Sequence, residues 1–171
     1  MQPPLPVTYW AAPNQLLAGP ALATDDRERV RHQLRALLDA GVRTIVDLRT
    51  AAEGPDTRVL LTKLARDADT VAWIGLPILN GDAPSPALLE LALDTIDASI
   101  ARGRAVYVHC AGGRGRTGTI VACWWIRHGV IEADAATDAL ARARAHLPDA
   151  PLPSPETAAQ LRLVRSWRRG R

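Results

Sequence analysis

This sequence contains no phenylalanine, one lysine, one methionine and only two cysteines. Cys110 stands in a glycine-rich stretch and Cys123 well into the helix expected after it, which argues against a structural disulfide. No run approaches the roughly 18 uncharged apolar residues that a membrane-crossing helix needs, so a soluble chain is expected. The opening MQPPLPVTYW has neither a basic start nor an apolar signal core; nothing marks the chain for export, and the cytoplasm is the expected compartment. His32, His128 and His146 are dispersed, and no His, Cys or carboxylate cluster has metal-ligand spacing, so no metal or other cofactor is expected. The excess of positive charge is small, +3 with a pI near 9.4, which is not the footprint of a nucleic-acid binder. The terminal arginines Arg162, Arg165, Arg168, Arg169 and Arg171 read as a solvated helix face. No nucleic-acid or membrane partner and no oligomer is expected. Heavy use of Ala and Arg with a single Lys hints at a GC-rich bacterial coding sequence.

What is present is globular. With 47% apolar and 23% charged residues, 171 residues suffice for one domain with a real core. Five prolines between Pro3 and Pro20 mark an irregular opening that leads into a short strand at Gln15–Ala18, expected at a sheet edge. Val30, Leu34, Leu37 and Leu38 recur at helical spacing over Thr24–Ala40, with Thr24 or Asp25 as cap and Gly41 as stop. Val42–Leu48 reads as a buried strand ending in a turn pair, Asp47 and Arg49. A short helix over Thr57–Asp67 and a strand over Thr70–Ile78 follow. Ser85 and Pro86 open a helix with Leu89, Ala92 and Ile96 on its apolar face. Arg104–His109 reads as a strand, Thr117–His128 as a nearly all-apolar and therefore central helix containing Trp124 and Trp125, and Asp134–His146 and Ser154–Trp167 as two more helices. Strands alternating with helices, followed by a helical tail, predict an α/β fold with a central, mainly parallel sheet flanked by helices.

The organising stretch is His109–Gly118, HCAGGRGRTG, which joins a strand to a helix. Gly112, Gly113 and Gly115 let the backbone curl so that successive N–H groups point inward, and the helix adds the positive end of its dipole; the site suits an anion. Cys110 lies at the floor of this cradle and Arg116, a planar bidentate cation, at its exit. Helix N-termini and nearby cations favour the thiolate, the nucleophilic form of a cysteine. Strand alternation turns His109 away from the ligand, where it can orient the loop through hydrogen bonds.

The run His109, Cys110, Ala111, Gly112, Gly113, Arg114, Gly115, Arg116, Thr117 resembles the signature loop of cysteine-dependent tyrosine and dual-specificity phosphatases. Tyr9–Gly19, the IVDLRT turn, Leu76–Pro84 and the CWWIRHG helix end are similar to bacterial members of the dual-specificity group. The resemblance implies the phosphatase fold and metal-free, two-step hydrolysis of phosphate monoesters of proteins or small molecules. Cys110 would attack phosphorus, while Arg116 and the amides of Ala111, Gly112, Gly113, Arg114, Gly115 and Arg116 hold the equatorial oxygens. Thr117 is either a hydrogen-bond donor to the sulfur or an ordinary first-turn hydroxyl. Arg114 either recognises an anionic substrate or is a solvated loop residue. Relatives place an aspartic acid where Asn80 stands; Asp82, two positions on, is the candidate general acid, with a turn residue as the alternative. A weakly catalytic protein that binds phosphorylated ligands, and a phosphoinositide or small-ester phosphatase, are the other functional readings.

Overall fold

Alternation along five short strands places each side chain above or below one sheet. The computed structural model describes residues 2–22, 26–54, 58 and 71–171. Apart from Arg58, the helix expected over Thr57–Asp67 lies outside them, as do the candidate caps Thr24 and Asp25. The strands are β1 (Tyr9–Ala12), β2 (Leu16–Pro20), β3 (Val42–Asp47), β4 (Ala72–Gly75) and β5 (Ala105–Cys110). Their spatial order is β1-β2-β5-β3-β4, with β1 antiparallel to β2 and every other pairing parallel. The sheet is thus mainly parallel, as the alternation of elements requires.

The strand expected at the sheet edge lies inside it instead. Tyr9–Ala12, which the surrounding prolines made to read as irregular, pairs outside β2 and takes the edge. The reversal between them closes through Gln15 N–H donating to the Ala12 carbonyl at 3.0 Å, with Asn14 at φ +57°, a conformation asparagine tolerates better than most residues.

Helix α1 (Arg27–Asp39) covers one face, and α2 (Pro86–Ala101), α3 (Gly115–Arg127), α4 (Ala136–Ala143) and α5 (Ala158–Ser166) pack on the other. Asp26 caps α1 by accepting from Glu28 N–H at 2.8 Å, a contact worth about 1 kcal/mol. Ser85 caps α2, accepting from Leu88 N–H at 3.2 Å, with Pro86 in the first turn. On β5, Val106, Val108 and Cys110 face the α3 layer, whereas Ala105 and Tyr107 face α1. Helix α3 is buried from Gly115 through Ile126, so the element after the loop is the centre of the larger core layer. Trp124 and Trp125 sit in that core and donate to Asp97 and to the Ala11 carbonyl. The fifth helix starts at Ala158, later than Ser154, because Thr157 caps it: its hydroxyl accepts from Gln160 N–H at 3.3 Å and the Gln160 carboxamide reaches back to Thr157 N–H. Ser154 and Glu156 are thereby left outside the helix.

Candidate active site

β5 is the central strand, and its carboxyl end delivers Cys110, 3% exposed, to the point where α/β sheets bind ligands. The loop that follows is moulded by β2. Ala21 N–H donates to the Ala111 carbonyl at 3.0 Å, and Gly113, at φ +68°, lies so close to the Gly19–Pro20 backbone that a β-carbon there would overlap it. Only glycine meets both demands. The first bond of α3 runs from Gly118 N–H to the Arg114 carbonyl at 2.9 Å, so the amides of Gly115, Arg116 and Thr117 precede the helical ladder.

Arg116 is 2% exposed, and its guanidinium is surrounded by acceptors. Nη1 donates to Glu53 Oε2 and to the Ile78 carbonyl, both at 2.8 Å; Nη2 donates to Glu53 Oε1 at 2.6 Å and to Asn80 Oδ1 at 3.1 Å. Burial alone would weaken this cation, but Glu53 and the adjacent Cys110 sulfur outweigh it and raise the arginine pKa. In return the Arg116 hydrogen bonds pull the Glu53 carboxyl from its ordinary 4.5 down to about 2, with help from Thr50 N–H and Oγ1. Sequence reasoning passed over Glu53; a carboxylate six residues after the last residue of β3, at the ligand-binding edge, is the signal it offered.

Breaking a buried pair by neutralising one partner costs about 3–5 kcal/mol, and a domain this size loses about 2–4 °C of Tm per kcal/mol. Glu53 is partly exposed, so Glu53→Gln is expected at the lower end, a fall in Tm of roughly 6–10 °C. The depressed carboxyl also has a pH signature: its stabilisation is complete above about pH 4.5 and is lost as pH falls toward 2. Acid unfolding followed by circular dichroism should show a shallower decline across that window in the variant; an unchanged profile would mean that Glu53 does not hold Arg116.

His109 points to the α1 face, as alternation predicts. Its ring stacks on Tyr107 at 5.4 Å, meets Trp73 edge-on at 5.8 Å, and places Nδ1 3.4 Å from the Cys110 carbonyl and 3.7 Å from Asp47. Burial, and to a lesser degree Arg49, lower its pKa from 6.5 to about 4 against the opposing pull of Asp47, so the imidazole is neutral near pH 7. Burial pushes the Asp47 carboxyl up, yet its bonds from Arg49 and the nearby His109 hold it below its ordinary value. Arg49 grips Asp47 through Nε at 3.0 Å and Nη2 at 2.9 Å, the turn pair expected at the end of β3. The Thr117 hydroxyl is buried and makes no hydrogen bond among the described residues.

The Arg114 guanidinium pairs with Glu156 in the segment that precedes α5. Asn80 and Asp82 occupy one turn, closed by Asp82 N–H donating to the Leu79 carbonyl at 3.0 Å with Gly81 at φ +85°. Asn80 turns in to Arg116, whereas Asp82 is exposed and its carbonyl accepts from Gln160 Nε2 at 3.0 Å. Glu156 and Gln160 lay beyond sequence reasoning, hidden in and just after a proline-rich connection.

Residues 12–170 match the family described as "Swiss Army Knife protein, DSP-PTPase phosphatase domain". The chain belongs to the dual-specificity phosphatase family. The crystal structure of Tk-PTP in its active form superposes on this dual-specificity phosphatase domain with a TM-score of 0.74, at 21% identity, over 94% of this chain and 95% of that one. PTPMT1 in complex with PI(5)P gives 0.70 at 23% identity, over 93% and 92%. By sequence the domain is 32% identical over 96 residues (54% of this chain, 37% of the relative) to protein 067L of Invertebrate iridescent virus 3. It is 44% identical over 46 residues (27% and 20%) to phosphatidylglycerophosphate phosphatase PTPMT2 of Arabidopsis thaliana. The matched stretches thus span 37% and 20% of the length of these two relatives.

Proposed function

We propose that this domain hydrolyses phosphate monoesters, phosphotyrosine foremost, through a phosphocysteine at Cys110. The observation that carries the reading is the joint placement of Cys110 at the end of the central strand and of Arg116 on the first turn of α3, on either side of a glycine-rich loop. The ester phosphate sits on the loop amides. The Cys110 sulfur attacks phosphorus, the bond to the leaving oxygen breaks, and Arg116 with the amides of residues 111–116 carries the negative charge on the equatorial oxygens. Water then displaces the sulfur and releases phosphate. His109, neutral and bonded toward the Cys110 carbonyl, orients the loop and transfers no proton. A working Cys110 must stay reduced, which favours the cytoplasm.

Asp82 is the acid we assign to the leaving oxygen. Its carboxyl is exposed on a glycine-bearing turn whose neighbour Asn80 touches Arg116, which supports the reading that the turn brings it over the bound phosphate. General acid catalysis contributes about 100- to 10,000-fold for poor leaving groups and little for an activated aryl ester whose anion departs unaided. Assayed on both kinds of ester, Asp82→Asn is expected to lose about 100-fold or more on phosphotyrosine and alkyl phosphates and to stay near wild type on 4-nitrophenyl phosphate. A uniform small loss would make Asp82 a turn residue and favour the ligand-binding reading that Asn80 supports. The same panel, extended to phosphoserine, phosphothreonine and phosphoinositides, tests a lipid substrate, the reading favoured by the likeness to PTPMT1 with PI(5)P.

A further inference from the structure

The Arg116 guanidinium carries its N–H donors in one planar fork, and most of them are engaged. Glu53 takes the end of the fork, accepting from Nη2 through Oε1 at 2.6 Å and from Nη1 through Oε2 at 2.8 Å. The outer Nη1 proton goes to the Ile78 carbonyl at 2.8 Å, with the Leu48 carbonyl more distant at 3.4 Å. The outer Nη2 proton, which lies beside Nε–H, goes to Asn80 Oδ1 at 3.1 Å. An oxyanion gripped by two parallel N–H bonds needs one edge of the fork. With Glu53 at the end, that edge is Nε–H together with Nη2–H, and the Asn80 oxygen stands on it.

Of these acceptors Asn80 is the one placed to yield. Glu53 is a carboxylate held by Thr50 as well as by Arg116, and the Ile78 carbonyl belongs to a backbone whose N–H is tied to the Leu48 carbonyl at 3.0 Å. Asn80 is neutral and exposed, and its bond is longer than those to Glu53 and Ile78. Among the described residues it is also the only hydrogen bond from the tip of the turn, residues 79–81, to the rest of the domain. We propose that Asn80 is a latch on Arg116: its carboxamide oxygen occupies the proton that a bound oxyanion needs, so entry of the oxyanion displaces Asn80 and frees the turn that carries Asp82. The inference rests on the phosphate-binding role given to Arg116 above. Asn80 is thus a positioning residue, and the bond it gives up offsets part of the affinity for phosphate.

Calorimetric titration with tungstate, an oxyanion with the shape of phosphate, reads this competition. Asn80→Ala is expected to bind tungstate about five- to tenfold more tightly than wild type, because the competing acceptor is gone. A residue that merely supports the loop, or one that itself binds phosphate, would give no gain or the opposite sign. A crystal structure of the wild-type domain with tungstate gives a second reading that depends on no variant: tungstate oxygens on Arg116 Nε and Nη2, and Asn80 Oδ1 more than about 4 Å from Nη2. Equal or weaker binding in Asn80→Ala, or Asn80 Oδ1 still bonded to Nη2 beside the bound oxyanion, would overturn the latch alone. Failure of the wild-type domain to bind tungstate at the loop would overturn the phosphate-binding reading, and the latch with it.

Discussion

Cys110→Ser is expected to abolish turnover while oxyanion binding survives. The substitution exchanges sulfur for a smaller oxygen in a side chain that is already buried, so the loop, the Gly113 contact and the α3 N-terminus persist. What changes is the nucleophile: a serine hydroxyl keeps its proton near neutral pH and attacks phosphorus only if a base takes that proton. His109 cannot serve, since its ring lies on the α1 face and stacks on Tyr107. Removing the nucleophile of a hydrolase elsewhere costs on the order of 10⁶-fold in kcat, and a comparable loss is expected here. Activity on 4-nitrophenyl phosphate and calorimetric titration with vanadate check the two halves of the statement. Near-wild-type activity in the variant would refute covalent catalysis at Cys110.

The second large effect is expected at Arg116. Lysine keeps the charge but replaces a planar fork of five donors with three donors on one nitrogen. Glu53 Oε1 and Oε2, the Ile78 carbonyl and Asn80 Oδ1 all accept from the guanidinium, so an ammonium could not serve these four acceptors and an incoming phosphate as well. Arg116→Lys should therefore lower kcat by about 10²–10³-fold, the range for loss of one oxyanion donor, and also lower Tm because the Glu53 carboxylate is left partly unpaired. Measuring kcat with Tm separates catalysis from support: a stability loss with kcat intact would make Arg116 a structural cation only.

The parts of this site legible in the sequence are those whose function dictates a local pattern. The glycine run, Cys110 and Arg116 stand within seven residues of one another, and strand periodicity sufficed to send Cys110 and His109 to opposite faces of the sheet. Helices α1, α2 and α3 followed from apolar spacing and caps, within a few residues at each end. Glu53, Glu156 and Gln160 were not legible because they reach the loop from distant segments: Glu53 is 63 positions from Arg116, and Glu156 is 42 from Arg114. Nothing in their own neighbourhoods encodes the contact; the order of the strands does. The position of β2 was missed for the same kind of reason, since the prolines around Tyr9–Ala12 obey local rules while the pairing is decided by the sheet.

The seating of Gly113 against the backbone of β2 bears on the thermodynamics of ligand capture. A loop shaped only by its anion would have to surrender its freedom on binding, at about 1–2 kcal/mol for each residue fixed. Here the sheet imposes the curl when the chain folds, through the Gly113 contact and the bond from Ala21 to Ala111. On the proposed function, the entropy of ordering is charged to folding, not to recognition, which would leave the interaction energy of a bound phosphate free to stabilise the transition state.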